Sequence, residues 1–77
     1  MNQELFDLAW AEAPLHLKRA LKDFAKYPTE RNSCFICGYL SAMDNSGVLS
    51  SETYLYLLAL TGQIGESKDL QTLVLTQ

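Results

Sequence analysis

Apolar positions recur at helical spacing along most of this chain, and the strongest turn signal between two apolar runs is Asp44-Asn45-Ser46-Gly47. The stretch 31–58 therefore reads as a helical hairpin, the nucleus of the fold. Its first arm, predicted over 30–43, carries Phe35, Ile36, Tyr39, Leu40 and Met43, with Gly38 and Ala42 as small residues where another helix can approach closely. Its second arm, predicted over 51–60, starts from Ser50 as N-cap with Glu52 in the first turn, and stops at Gly62.

Two helices are predicted upstream. Residues 3–12 place Leu5, Leu8 and Ala9 at helical spacing with Trp10 beside them, and Glu4 and Asp7 lie toward the positive end of the helix dipole. Pro14 breaks or kinks this helix near Ala13 and suits the first turn of the next. From Leu15 onward, Leu17, Ala20, Leu21, Phe24 and Ala25 form an apolar stripe, while Lys18, Lys22 and Lys26 line another face. Tyr27-Pro28-Thr29 ends that helix, and Thr29 caps the following one. The tail 63–77 has two readings: a brief helix capped by Ser67, or Leu73-Val74-Leu75 as an extended segment. The expected fold is all-α, a small bundle of about four short helices built around a helix-turn-helix hairpin. It forms a single domain over 1–77 with 63–77 as a loosely packed tail.

Tyr54, Leu55, Tyr56, Leu57 and Leu58 leave the fourth helix almost without a polar face. Such a helix is either buried on all sides within the monomer or covered by a partner. A chain of 77 residues buries only about 60% of its unfolded surface. The expectation is therefore a homodimer, joined through the fourth helix or the hairpin.

Composition narrows the classes of partner. Apolar residues at 48% and charged residues at 19% fit a globular protein and not a disordered one. The net charge of −3 gives no overall attraction to nucleic acid or anionic membrane. Within 14–31, however, five basic residues face two acidic ones, a local +3 that leaves −6 elsewhere. No apolar run approaches the roughly 20 residues of a membrane span, and Met1-Asn2-Gln3-Glu4 lacks the start of a signal peptide. A cytoplasmic protein of a bacterial cell, with no membrane contact, is expected.

Each motif that suggests chemistry falls short. Cys34 and Cys37 have the spacing of a zinc knuckle, but a structural zinc needs four ligands and only His16 stands out as a third. The metal arrangement left open is intermolecular, with four cysteines at a dimer axis. No strand precedes the pair and apolar residues surround it, which argues against redox use; the cysteines are expected to pack between helices. The segment 44–50 resembles the middle of an EF-hand loop, yet Ala42 and Thr53 stand where the first and twelfth calcium ligands belong, so it reads as turn and cap. His16 has no Ser, Cys or Asp beside it in sequence and reads as a surface histidine. With no phosphate-cradling loop and no suggestive carboxylate pair, the sequence points away from an enzyme and calls for no cofactor.

The order Gly38-Tyr39-Leu40, Ala42-Met43, Ser46-Gly47-Val48-Leu49-Ser50, Glu52 and Tyr54 resembles small helical-hairpin accessory proteins encoded by phages and plasmids. It covers about a quarter of the chain. The resemblance implies a binding protein of a mobile element, a class that includes anti-CRISPR proteins and other inhibitors of host machinery. On this reading the protein binds a host protein or nucleoprotein complex stoichiometrically and blocks it, with Trp10, Tyr39, Tyr54 and Tyr56 as anchors. The alternative is a small dimeric nucleic-acid-binding regulator that places Lys18, Arg19, Lys22 and Lys26 on phosphates.

Overall fold

The computed structural model describes residues 3–62, 67–75 and 77, with the side chains of Ser67 and Lys68 outside that description. Among the described residues five helices follow one another: α1 (Gln3–Glu12), α2 (Leu15–Lys26), α3 (Glu30–Asn45), α4 (Ser51–Thr61) and α5 (Ser67–Leu75). The fold is all-helical, as the periodicity indicates, but it has one helix more than expected. Of the two tail readings the brief helix is the one found, as α5, whose Leu70 and Leu73 are buried and which packs against α2 and α4, so the loosely packed tail is corrected for these residues. An extended Leu73-Val74-Leu75 is thereby excluded, while 63–66 and the expected Ser67 cap lie outside the described residues.

Local chemistry sets the ends of these helices. Pro14, with φ −69° and ψ 163°, occupies the N-cap of α2 just after the bend at Ala13, whose N–H still reaches the Ala9 carbonyl at 3.1 Å. Thr29 Oγ1 accepts from Asn32 N–H at 3.1 Å, and Ser50 Oγ accepts from Thr53 N–H at 3.2 Å, so both expected caps form. At the end of α3, Gly47 adopts φ +77°, its N–H donates to Asp44 O at 3.0 Å, and Val48 N–H reaches back to Met43 O at 3.0 Å. This is a Schellman closure, which accounts for the turn residues that superficially resemble a calcium loop. Gly62 is the C-cap of α4 as expected, but in right-handed conformation. Its lack of a side chain matters because a Cβ there would lie 2.8 Å from Leu58 O.

The core draws on every helix: Phe6, Leu17, Leu21, Phe24, Ile36, Leu40, Leu57, Leu70 and Leu73 are all essentially without solvent contact. Two faces differ from expectation. Phe6, Ala9 and Ala13 carry α1 into the core, whereas Leu5 and Leu8 are exposed. On α4 only Leu57 and Thr61 are buried and Leu55 is 61% exposed, so the monomer does not enclose this helix on all sides. Among the described residues Ser33 and Thr61 are the buried polar ones, and they meet: Ser33 Oγ donates to Thr61 O at 2.6 Å, while Thr61 Oγ1 donates to Leu57 O at 2.8 Å. No helix among the described residues is long and apolar enough to cross a membrane.

Candidate functional site

Antiparallel packing of α2 and α3 leaves an open groove of about 840 Å³ along their outer side. The sequence shapes it through two offset periodicities. On α2, Leu17, Leu21 and Phe24 turn to the core, which leaves His16, Arg19 and Asp23 on the groove side. On α3, Ser33, Ile36 and Leu40 turn inward, which leaves Arg31, Phe35 and Tyr39 along the other wall. Phe35 is 63% exposed, and its ring stands 6.1 Å from that of Tyr39 at a tilt of 34°.

The short connection between the helices contributes Tyr27 to the lining. Tyr27, held out of helical geometry before Pro28, keeps its N–H on Asp23 O at 2.9 Å. Its carbonyl accepts from Asn32 Nδ2 at 2.8 Å and from Thr29 N–H at 2.9 Å. These bonds fix the Tyr27 backbone, and its side chain, 59% exposed, joins Arg31 in the lining of the groove. The groove therefore combines three accessible aromatic rings with two guanidinium groups and a single carboxylate, Asp23.

The residues singled out from the sequence are distributed over several seams. Tyr39 alone of the four expected anchors lies in this groove. Trp10 is half-buried and stacked on Phe6 at 5.5 Å, with Lys18 Nζ and Lys22 Nζ at 5.8 and 5.9 Å from its ring centre. Tyr54 is half-buried, its hydroxyl 3.2 Å from Ser41 Oγ. Tyr56 is half-buried, and its hydroxyl pKa is raised by burial and, secondarily, by the charge of Asp7. The four-residue cationic row is likewise divided. Lys18 and Lys22 converge on Trp10, Arg19 faces the groove, and Lys26 Nζ stands 5.6 Å over the Tyr27 ring.

The cysteines do not pack between helices as expected: Cys34 is exposed and Cys37 half-buried. Their face of α3 is uncovered, since Gly38 and Ala42 are exposed too and a Cβ at Gly38 would meet nothing within 4 Å. Small residues there do not mark a helix contact within the monomer. Among the described residues, no three His, Cys, Asp or Glu side chains are grouped to hold a metal.

One polar cluster escapes sequence reading. Glu12, at the end of α1, accepts from the backbone N–H of Ser50 and from Thr53 Oγ1 at 2.5 Å, and its Oε2 lies 3.2 Å from Ser50 Oγ. The Thr53 hydroxyl and the Ser50 N–H outweigh desolvation and hold the carboxyl below the ordinary glutamate value. Glu12 thus acts as an auxiliary cap on α4, 38 residues away in sequence. No protein-family model matches the chain, and neither a curated protein nor a solved structure gives a significant match.

Proposed function

We propose that this protein is a stoichiometric binding protein, an accessory protein of the kind phages and plasmids encode, which occupies and blocks a host protein or nucleoprotein complex in the bacterial cytoplasm as anti-CRISPR proteins do. The observation that carries the binding reading is the exposure of Phe35 and Tyr27 at 63% and 59%, beside Arg19 and Arg31 in one groove. Leaving such rings in water forfeits the free energy of burying them, and aromatic residues with arginine are the types that dominate interface energetics. Tyr39 keeps its expected place as an anchor. Tyr27 and Phe35 replace Trp10, Tyr54 and Tyr56, whose rings are already partly committed within the monomer.

The test is affinity capture of the tagged protein from bacterial lysate, with and without nuclease, comparing wild type with Phe35→Ser plus Tyr39→Ser. A nuclease-resistant protein that co-purifies in stoichiometric amount with wild type and is lost from the double variant is the expected result. Capture indifferent to the groove substitutions rejects this surface. Loss of all partners after nuclease shifts the assignment to the second reading, the dimeric nucleic-acid regulator. What favours that reading is the convergence of Lys18 and Lys22, whose Nζ atoms stand 5.8 and 5.9 Å from the Trp10 ring centre and offer two neighbouring cations to phosphates. Its binding would weaken steeply with salt and vanish in Lys22→Glu.

A further inference from the structure

We infer that the occupant of the α2–α3 groove is an acidic amphipathic helix of a partner protein, an assignment that rests on the binding-protein reading above. The groove follows α2 from His16 to Tyr27, about 16 Å at the helical rise of 1.5 Å per residue, which matches about three turns of a third helix laid alongside. Along that length the apolar elements come at intervals. Phe35 and Tyr39 stand one turn apart on α3 with their rings 6.1 Å from each other, and Tyr27 joins the lining from the C-cap of α2. Apolar side chains of a docked helix at positions i, i+3 or i+4, and i+7 would pack against these rings.

Charge selects among such helices. Arg19 and Arg31 lie on opposite helices and outnumber Asp23, and a guanidinium fork receives a carboxylate through two parallel hydrogen bonds. A docked helix with acidic residues flanking its apolar stripe would meet one fork on each side. A nucleic-acid strand suits the groove less well. It presents a phosphate at every nucleotide and needs a long cationic track, whereas Lys18 and Lys22 stand over Trp10 and do not line the groove. A peptide helix needs only the two local arginines.

The test is to pan a displayed library of random 14-residue peptides against the intact protein, then measure the enriched peptides by fluorescence anisotropy, with a labelled oligothymidylate in parallel. Enrichment of acidic sequences with apolar residues at helical spacing is expected. Their affinity should fall at least tenfold in Arg19→Glu plus Arg31→Glu, and should rise several-fold in Asp23→Lys, a gain that a merely misfolded variant does not produce. The assignment is overturned if nothing is enriched, if the enriched peptides are basic or lack helical spacing, or if their binding ignores the groove substitutions. It is also overturned if the oligothymidylate binds and those substitutions abolish its binding. Groove-dependent capture of a protein from lysate together with non-acidic enriched peptides defeats this assignment alone; capture that ignores the groove defeats the binding reading as well.

Discussion

Glu12 shows how one exposed side chain can join elements distant in sequence. The first N–H groups of a helix lack partners within it, and a carboxylate placed there also meets the positive end of the dipole. Ser50 supplies the local cap, and Glu12 adds the Ser50 N–H and the Thr53 hydroxyl from outside. Because the folded-state pKa is lowered, this contribution to stability is fully present above the ordinary value of 4.5 and is lost as pH falls through the lower folded-state value. Glu12→Gln should therefore lower Tm at pH 7 by the few degrees that a lost helix cap typically costs. Thermal melts from pH 7 to pH 2.5 should show the gap between wild type and variant closing below about pH 4.5; a constant gap would contradict the capping role. Gly47 makes a second prediction at this scale. Its φ of +77° disfavours any Cβ, so Gly47→Ala should cost about 1–2 kcal/mol in denaturant unfolding. The two residues differ in legibility. Gly47 declares itself by its neighbours in sequence, whereas Glu12 has its partners 38 and 41 residues away.

At the scale of elements, the ends of the helices are legible and their inward faces only partly so. Caps and turns are decided within a few residues, which is why Thr29, Ser50 and the Gly47 turn behave as their chemistry indicates. Faces are decided by what arrives opposite. On α3 both Phe35 and Ile36 satisfy an apolar pattern, but only Ile36 meets the core. On α4 the nearly unbroken apolar run gives no directional signal, so periodicity does not single out Leu57 and Thr61. The junction of these two helices depends on a buried bond, Ser33 Oγ to Thr61 O. Ser33→Ala should cost about 1–3 kcal/mol, because it removes a partner from a buried polar contact. On α5, Leu73→Ala should cost about 2–5 kcal/mol, the range for emptying a leucine-sized volume in a core. Chemical denaturation measures both; a Leu73→Ala variant as stable as wild type would show that α5 is not integral to the domain.

At the scale of the whole molecule, the exposed residues of the groove lie outside the core that carries stability. Phe35 and Arg31 are exposed, so Phe35→Ser and Arg31→Glu should leave unfolding free energy within about 0.5 kcal/mol of wild type while removing partner capture. Loss of stability in step with capture would mean that the groove residues belong to the folding core. The same separation explains what could be read in advance. By itself the sequence determined the helical class, the bounds of α1, the starts of α2, α3 and α4 and the chemistry of the turns, because backbone dihedral preferences and capping hydrogen bonds act over three to five residues. Only the tertiary structure decided the rest. It made the tail a fifth helix with Leu70 and Leu73 inside, directed Glu12 to α4, left Cys34, Gly38 and Ala42 in solvent, and brought Arg19 and Arg31 to the sides of one groove. The physical reason is that burial and long-range pairing are properties of two surfaces at once. A local pattern specifies the surface a helix offers and not the one that comes to meet it.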